Sequence, residues 1–529
     1  MTRRHFLSST GLGVAGLLGS TGLLPDFAQA AAGSRKPPNI VLIMADDMGF
    51  SDIGCYGSEI STPNLDSLAA KGVRFTQFYS YARCCPTRAS LLTGLHPHQA
   101  GVGHMVGDYK VPGYRGFLND RCVTLAEVLR EAGYHTLMSG KWHVGEQRPH
   151  WPVDRGFERY FGLISGASNY FRLETGRTFA RDDQPYTPDS SGFYITDAFG
   201  EAACQYVQEY AAKENPFFLY LAFTSPHWPL HAWPEDIARY RGKYLCGWDE
   251  LRERRYRRQI EMGLVDAKWP LTPRDEQAPP WAEVADKEER DLRMAIYAAQ
   301  IDRMDYNIGR VMAQVRSAGV EEDTLVMFLA DNGGCAERIE RGEKGAVTGT
   351  ADSYVSYGLP WANASNTPFR LYKHWVHEGG ISSPFIAYWP SVIRNHGGIL
   401  RNQFGHLVDV MATCVDVSGA EYPTTYKGKP IQPMEGRSLT HLLRGQQRER
   451  PLHDVMCWEH EGNKAVRKGR WKLVSRYPAR WELYDMAEDR TEMRDLADRC
   501  PEKVREMVGD YEDWARRCKV IPWQDLKRS

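Results

Sequence analysis

The chain has 529 residues, of which 42% are hydrophobic, so it is long enough to bury the large core of a globular protein. Its 66 basic and 67 acidic residues give a net charge of −1, and no long block of like charge occurs. This balance argues against nucleic acid as the main partner, because phosphate backbones are bound by concentrated basic surfaces. The densest basic run, at residues 252–258, is interpreted as a solvated helix face.

Residues 1–30 are interpreted as an export signal, not as part of the fold. Arg3 and Arg4 precede an apolar, glycine-rich stretch at residues 11–24, and residues 28–30 read AQA, a small-residue cleavage site. The paired arginines resemble a twin-arginine signal, which predicts the twin-arginine export machinery as a partner and a periplasmic or extracellular location in a bacterium. An uncleaved membrane anchor is the alternative, but the stretch is too short to span a bilayer, so we expect no stable membrane insertion after cleavage.

Apolar strands alternate with amphipathic helices along residues 37–422, which predicts an α/β domain whose central, mostly parallel sheet is flanked by helices. Ligands bind beyond the carboxyl ends of strands in open α/β sheets, so polar residues that follow such strands are expected to meet in one site. Four predicted strands run directly into polar groups: residues 39–44 before Asp46 and Asp47, 134–138 before Lys141 and His143, 217–223 before His227, and 324–329 before Asp331 and Asn332.

Helices are predicted between these strands from caps and apolar periodicity. One helix covers residues 64–71, with Pro63 in its first turn. Thr124 and Glu127 form a capping box that opens a second helix. A long third helix is predicted over residues 293–316.

The composition changes near residue 423, where prolines and glycines suggest a linker. A hairpin that turns at residues 468–469 and a helix over residues 502–517 are predicted beyond it. Residues 423–529 are therefore predicted to form a smaller, separate α+β domain with an antiparallel sheet.

Two of the polar clusters offer only oxygen ligands. Asp46, Asp47, Asp331 and Asn332 would supply three carboxylates and one amide. This donor set suits a hard cation, Ca²⁺ or Mg²⁺, and not zinc, which prefers nitrogen and sulfur. Either pair alone is typical of a turn or a helix cap, but the position of both pairs at strand ends favours a metal site.

A short cysteine-containing stretch has a spacing that suits anion chemistry. Residues 84–94 read CCPTRASLLTG, which places Arg88 four residues after Cys84 and on the same face of a predicted helix. A guanidinium in that position can neutralise an anionic nucleophile. The alternative is a structural or metal-binding pair of Cys84 and Cys85, although adjacent cysteines are poor chelators and the chain has no CxxC partner for them.

This stretch resembles the C-x-P-[ST]-R…L-T-G signature of the sulfatase family. Four further motifs resemble that family in the family's order: DD-x-G at residues 46–49, GKWH-x-G at 140–145, PH-x-PL at 226–230 and DNG at 331–333. Lys373 matches the lysine of the family's K-x4-EGG motif. Residues 247–252 and 458–463 are most similar to the bacterial arylsulfatase branch.

The resemblance implies an alkaline-phosphatase-like fold and the hydrolysis of a sulfate monoester to an alcohol or phenol and sulfate. It implies that a formylglycine-generating maturation enzyme oxidises Cys84 to formylglycine, whose hydrate attacks sulfur. Only Cys84, and not Cys85, has a proline two residues later, as the signature requires. The resemblance also implies a Ca²⁺ ion, with Mg²⁺ as the second choice, held by Asp46, Asp47, formylglycine 84, Asp331 and Asn332.

The same resemblance implies roles for the basic residues of the motifs. Arg88 would hold the hydrated aldehyde, and Lys141 would bind sulfate. His143 would help to remove a proton from the hydrate, and His227 with Lys373 would assist the departing alcohol.

Three alternatives stay open at this point. The substrate could be a sulfated polysaccharide instead of an aryl sulfate. The protein could be a phosphonate or phosphate monoester hydrolase on the same scaffold, or an inactive protein that binds sulfated glycans. Five aromatic residues are candidates for lining an aryl or sugar subsite, although such residues also pack in loops: Tyr109, Tyr114, Trp142, Trp228 and Trp233.

Overall fold

The computed structural model describes residues 36–189, 191–394, 396–401, 403–446 and 451–526. The predicted export signal lies outside these residues, so its interpretation stays a prediction. In the described ranges, no helix combines the length and the apolar composition that crossing a membrane requires.

A large mixed sheet forms the centre of the fold, and six of its ten strand pairs are parallel. Its eleven strands are β1 Asn39–Ala45, β2 Val73–Tyr79, β3 His135–Gly140, β4 Arg159–Leu163, β5 Phe179–Arg181, β6 Gln184–Pro185, β7 Phe217–Ala222, β8 Thr324–Ala330, β9 Ser382–Tyr388, β10 Gly398–Leu400 and β11 Gly405–His406. The spatial order is β10-β2-β9-β8-β1-β7-β3-β4-β5-β6, with β11 beside β2. The predicted α/β class with a mostly parallel central sheet is therefore confirmed.

Helices cover both faces of this sheet. The α-helices of the described chain are α1 Pro63–Lys71, α2 Cys84–Thr93, α3 Pro97–Ala100, α4 Leu125–Glu131, α5 Ile195–Tyr210, α6 Pro234–Ala238, α7 Gly247–Glu261, α8 Lys287–Ser317, α9 Leu359–Ser365, α10 Glu378–Ile381, α11 Val408–Ser418, α12 Thr440–Leu443, α13 Pro501–Cys518 and α14 Trp523–Leu526. The predicted capping box opens α4, since the Thr124 side chain accepts a hydrogen bond from the Glu127 backbone.

The central strand β1 is buried on both faces, which is why it reads as a continuous apolar run. Its even-numbered residues from Ile40 to Met44 join the hydrophobic cluster that contains α2, α4 and α11. Its odd-numbered residues from Val41 to Ala45 join the cluster of α1, α5 and α8 on the other face. A strand packed in this way has a strongly fixed register, because a one-residue slip would exchange its two faces.

A second sheet lies in the C-terminal part of the chain. It is an antiparallel meander of β14 Val455–His460, β15 Asn463–Lys468, β16 Trp471–Ser475 and β17 Trp481–Asp485. A separate two-stranded ribbon precedes it, formed by β12 Thr425–Tyr426 and β13 Lys429–Pro430. Helix α13 packs on the meander through the core residues Val466, Leu473, Leu483, Met507 and Trp514. The predicted antiparallel sheet, hairpin and helix are present, whereas the boundary at residues 422–423 stays a prediction.

A buried group of charges connects this C-terminal sheet to α10. Lys472 Nζ on β16 lies 2.8 Å from Glu378 Oε1 and 2.8 Å from Glu492 Oε1. Arg490 Nε lies 3.2 Å from the other Glu378 oxygen, and all four side chains are at most 1% exposed. Buried charges are not screened by water, so each is stabilised by its charged neighbours. Removing one is therefore expected to leave its partners buried without a compensating charge.

Replacing Lys472 by methionine is expected to lower the free energy of unfolding by about 3–5 kcal/mol, since two buried carboxylates lose their shared partner. Lys468→Met is the matched control. Its ammonium lies 2.8 Å from Glu506 and 2.9 Å from Asp510, but its side chain is 33% exposed, so we expect only a small loss. Urea unfolding of both variants measures the difference, and equal losses would contradict this account of the buried group.

Candidate active site

The carboxyl ends of four strands align at one edge of the large sheet. Ala45 of β1 pairs with Ala330 of β8, while Met44 of β1 and Gly140 of β3 both pair with Ala222 of β7. The residues that follow these strands therefore leave the sheet at the same edge and at the same height along the strands. The structure brings together the polar residues predicted at these ends, namely Asp46, Asp47, Lys141, His143, His227, Asp331 and Asn332.

Helix α2 brings the cysteine stretch to the same edge. Cys84 is its first residue, and Gly94 ends it in a left-handed conformation with φ 68°. The N-terminus of a helix has a positive partial charge that stabilises an anion beside it. The side chain of residue 84 is thus held at a fixed and buried position where an anionic nucleophile is favoured.

Thr87 fixes the first turn of α2 to the neighbouring site loop. Its hydroxyl oxygen lies 2.6 Å from the Asp331 carbonyl and 3.0 Å from the Tyr81 carbonyl, and it accepts a hydrogen bond from the Tyr81 amide. No role was predicted for Thr87, although the signature requires Ser or Thr at that position. Its contacts explain this requirement, because a hydroxyl here ties the helix to the end of β8.

Thr87→Val is expected to lower stability by about 1–3 kcal/mol, because it leaves buried backbone groups without a partner. We also expect kcat to fall about 10-fold or more as the turn that holds residue 84 shifts. Thr93→Val is the control at the other end of the same helix, where the hydroxyl donates to Ala89 and accepts from the Leu95 amide. Steady-state kinetics and thermal melting test this pair, and an equal fall of kcat in both variants would contradict the positioning role.

The two adjacent thiols differ in their surroundings. Both lie near His143 Nδ1, with Sγ distances of 3.5 Å for Cys84 and 3.3 Å for Cys85. A hydrogen bond from Cys85, together with the Lys141 charge and His143, holds the pKa of the Cys84 thiol well below its usual range. Burial raises the pKa of Cys85. Cys84 is therefore the thiol whose environment stabilises negative charge.

The predicted metal ligands form a fully buried cluster of oxygen atoms. Asp47 Oδ1 accepts a hydrogen bond of 2.7 Å from the Asn332 amide, and the Asp47 amide donates to Asp331 Oδ1. Asp46 Oδ1 and Asn332 Oδ1 are buried and find no hydrogen-bond partner among the described residues. A buried oxygen atom without a hydrogen-bond partner destabilises the folded protein unless a cation or a hydrogen-bond donor binds it.

The electrostatics of this cluster also favour an added cation. Burial and the nearby Asp46 carboxylate raise the pKa of Asp331 well above its usual value. When ionised, the three carboxylates are matched by the three cations of Arg88, Lys141 and Lys373. A divalent cation would leave the site with a net charge of about +2, which suits an anionic substrate. The ligand set therefore fits a hard divalent cation.

Three basic side chains hold the cluster. Arg88 Nη2 lies 3.0 Å from Asp331 Oδ2 and 3.4 Å from Asp46 Oδ2, and Lys141 pairs with Asp46. Lys373 Nζ lies 2.8 Å from Asp47 Oδ2. Although burial opposes its charge, Asp47 raises the pKa of Lys373 well above its ordinary value. These groups stay cationic and can bind the oxygens of an anion.

His227 connects Lys373 with this cluster. Its Nδ1 lies 2.6 Å from the Trp228 carbonyl and so donates to it, which leaves Nε2 to face the site. That atom lies 3.4 Å from both Lys373 Nζ and Asp47 Oδ2. Burial lowers the pKa of His227 and lowers that of His143 to about 4. Both rings are therefore neutral and can accept a proton.

Two site residues have strained backbones. Asp47 and His143 have φ values of 62° and 59°, in the left-handed region that favours glycine. Such strain persists where the surroundings fix it, and it is common at functional sites. A Cβ at Gly166 would lie 2.3 Å from the His143 ring, so only glycine leaves room for this ring.

The rim of the site contains residues that the sequence did not single out. Glu337 accepts a hydrogen bond of 2.9 Å from Trp228 Nε1 and lies 3.2 Å from Arg83 Nη2. The Trp228 ring centre lies 4.4 Å from that of His227, so this ring is next to a predicted catalytic residue. Trp142, by contrast, is fully buried and donates to the His150 carbonyl, so it packs in the core and lines no subsite.

The remaining aromatic candidates pack against neighbouring rings. Tyr114 contacts His98, and Trp233 contacts Phe171 and Tyr194. Tyr109 stacks on His104 with 5.6 Å between ring centres. Trp228 is therefore the candidate of the five with a direct contact to a predicted catalytic residue.

Comparisons with known proteins show the family to which the chain belongs. Residues 38–420 match the Sulfatase family, and residues 369–510 match the C-terminal region of N-sulphoglucosamine sulphohydrolase. The chain is 34% identical over 445 residues to an arylsulfatase of Klebsiella aerogenes, covering 80% of this chain and 95% of that protein. It is also 34% identical over 519 residues to an uncharacterized sulfatase of Schizosaccharomyces pombe, covering 89% of this chain and 92% of that one.

Solved structures show the same fold. Ps i-CgsB in complex with k-i-k-neocarrahexaose matches with a TM-score of 0.68 and 24% identity, covering 91% of this chain and 93% of that one. The PsFucS1 sulfatase from Pseudoalteromonas sp. matches with a TM-score of 0.64 and 20% identity, covering 92% and 91%. Together with the family match over most of the described chain, these findings show that the protein belongs to the sulfatase family, whose members hydrolyse sulfate esters.

Proposed function

We propose that this sulfatase acts on aryl sulfates, with a formylglycine made from Cys84 and a Ca²⁺ ion beside it. The observation that supports this most is the meeting of residue 84, at the N-terminus of α2, with four oxygen ligands of which two have buried unpartnered atoms. The donor set contains only oxygen, which favours Ca²⁺ or Mg²⁺, and the looser geometry that Ca²⁺ accepts makes it the better candidate. Asp46, Asp47, Asp331 and Asn332 would hold it.

The two groups would supply distinct chemistry when present. Formylglycine supplies the hydrated aldehyde oxygen as nucleophile, and Ca²⁺ supplies charge that stabilises anionic oxygens. The side chains of the protein would bind the substrate and transfer protons. Arg88 and Lys141 lie where they can hold the non-bridging oxygens of the ester and neutralise their charge.

Proton transfer is assigned to the two histidines. His143 Nδ1 lies 3.5 Å from the Sγ of residue 84, which is a position from which it can take a proton from the group at that residue. His227 Nε2 and Lys373 Nζ lie 3.4 Å apart. Because the Trp228 carbonyl holds Nδ1, Nε2 is the ring atom that can carry a proton to the departing oxygen, and the Lys373 ammonium beside it stays charged and stabilises the negative charge that develops there.

The choice of an aryl sulfate is supported by the identity of 34% to an arylsulfatase that the chain covers over 95% of its length. A comparison of 4-nitrophenyl sulfate, 4-nitrophenyl phosphate, a phenylphosphonate ester and a sulfated oligosaccharide tests it. We expect kcat/KM for the aryl sulfate to exceed that for either phosphorus ester by about 100-fold or more. Faster turnover of a phosphorus ester would overturn the assignment, and turnover of the oligosaccharide alone would replace the aryl substrate by a glycan.

We also propose that the protein is exported by the twin-arginine machinery and reaches the periplasm or the exterior of a bacterium. The proposal is based on Arg3 and Arg4 before an apolar stretch. Replacing both arginines by lysine is expected to keep the full-length protein in the cytoplasm, as cell fractionation with immunoblotting would show. Unchanged export of the double variant would contradict this route.

A further inference from the structure

A second group of metal-ligating side chains lies outside the residues assigned to catalysis. His374, His460 and Glu461 each offer one ligand atom, and these atoms lie within 4.8 Å of one another. His374 Nδ1 is 3.1 Å from Glu461 Oε2, and His460 Nε2 is 3.7 Å from Glu461 Oε1. Neighbouring ligands of a tetrahedral zinc ion are about 3.3 Å apart, given bonds of about 2.0–2.1 Å. The observed spacing therefore needs only small side-chain shifts to hold one ion.

The ring of His460 packs against the rings of His104 and His374, but its two nitrogen atoms are buried without hydrogen bonds in the described part of the chain. The residue is 1% exposed, and neither of its ring nitrogens has a hydrogen-bond partner among the described residues. A buried imidazole normally has at least one such partner. A cation bound through Nε2 would be such a partner. The buried ring of His460, without such a partner in the described chain, is therefore the observation that points to a ligand.

Two of the three residues have strained backbone conformations. Glu461 and His374 have φ values of 51° and 90°. Glu461 and Gly462 form the two-residue turn between β14 and β15, a position where asparagine or aspartate before glycine is the usual choice. Glu461 therefore adopts a backbone conformation that is unfavourable for glutamate. In this conformation its carboxylate lies near both histidines.

The surrounding residues orient the group without competing for the ion. His104 Nδ1 accepts a hydrogen bond from the Met105 amide, so its Nε2 carries the proton that it directs at Glu461 Oε1, 3.4 Å away. The Asn463 amide nitrogen lies 3.0 Å from the His460 carbonyl and 3.5 Å from the His374 carbonyl. The same nitrogen lies 3.4 Å from His374 Nε2, so the contact is to the far side of that ring and not to Nδ1, the atom that faces Glu461.

We propose that His374, His460 and Glu461 form a binding site for a divalent transition metal, with zinc as the best candidate. Two imidazoles and one carboxylate are a zinc ligand set, and differ in kind from the all-oxygen cluster at Asp46 and Asp47. The side chains of His374 and Glu461 are 27% and 20% exposed, which leaves an entry path and a fourth position for water. The site is next to the predicted catalytic residues in sequence, because His374 follows Lys373. The proposal holds whichever sulfate ester the protein hydrolyses.

The test uses the full-length protein with Ca²⁺ present and with Zn²⁺ alone as the probe. Equilibrium dialysis followed by elemental analysis is expected to give one zinc per chain, and Co²⁺ in its place is expected to give the visible absorption of a four-coordinate site without a thiolate charge-transfer band. His460→Gln and Glu461→Gln are each expected to weaken zinc binding by about 10-fold or more. His396→Gln is the matched control and should bind zinc as before, because His396 is exposed and its Nδ1 bonds the Lys71 carbonyl.

Two results would overturn the proposal. One is the lack of stoichiometric zinc binding. The other is binding that survives His460→Gln and Glu461→Gln but disappears in Cys84→Ala, because the group of Cys84, Cys85 and His143 can also hold a metal. Thermal melting shows whether each variant is folded, and His374→Gln, whose ring is partly exposed, replaces His460→Gln if that variant fails to fold.

Discussion

Replacing Cys84 by alanine is expected to abolish sulfatase turnover, with a fall in kcat of about 10⁴-fold or more. The physical reason is that residue 84 provides the nucleophile, and removing a nucleophile disables the other groups that act with it. The side chain is buried and small, so the variant is expected to fold and to keep its affinity for Ca²⁺ through the four remaining ligands. Steady-state kinetics with an aryl sulfate measures the loss.

Cys85→Ala is the matched control for this prediction. Its thiol is equally buried and contacts the same histidine at 3.3 Å, but its environment does not favour negative charge. We expect this variant to keep activity within about 10-fold of the unmodified sequence. If Cys85→Ala were as inactive as Cys84→Ala, the assignment of Cys84 as the residue converted would lose its support.

The second large effect is expected at the metal site, where Asp331→Asn should lower both the affinity for Ca²⁺ and kcat/KM. The substitution keeps the shape of the side chain but removes a charged oxygen ligand and the partner of Arg88. We expect kcat/KM to fall about 10³-fold, comparable to the loss of a preorganised charge in a buried site. Calorimetric titration with Ca²⁺, together with kinetics at saturating Ca²⁺, measures the two effects separately.

Asp409→Asn is the control for that substitution, because Asp409 is also fully buried and pairs with His453, not with the site. It is expected to lower stability while leaving the affinity for Ca²⁺ unchanged. Removal of the metal with a chelator should likewise abolish activity and lower the melting temperature of the native sequence, and added Ca²⁺ should restore both. An Asp331→Asn variant that binds Ca²⁺ as tightly as the native sequence would contradict the proposed ligand set.

Much of the site could be predicted because it follows from the rules of parallel sheets. Strands such as Asn39–Ala45 are recognisable as apolar runs, and their carboxyl ends must lie at one edge. The polar residues after them were therefore expected to meet, and the structure brings them within hydrogen-bond distance. The roles assigned to the individual residues stay predictions.

Element boundaries were harder to predict where polar residues form them. Helix α8 begins at Lys287, six residues before the predicted start at residue 293. Its first turns carry ion pairs four residues apart, such as Arg290 with Asp286 and Arg293 with Glu289. These pairs stabilise a helix without any apolar periodicity, so the pattern of hydrophobic residues did not reveal them.

Contacts between distant parts of the chain could not be predicted at all. Glu337 contacts Arg83 and Trp228, and His374 contacts Glu461, over separations that no local pattern encodes. The hairpin that contains Glu461 belongs to the C-terminal sheet, whose position against the large sheet depends on the packing of many side chains. The signal available in the sequence was a glutamate before a glycine at a predicted turn, and that is too common to indicate a site.

The central claim is that Cys84 becomes formylglycine, and mass spectrometry of the peptide that contains residues 84–88 tests it most directly. In active protein from a host with the maturation enzyme, we predict formylglycine at position 84 and an intact thiol at Cys85. Protein from a host without that enzyme should carry both thiols and be inactive. Active protein in which the Cys84 thiol is intact would contradict the account.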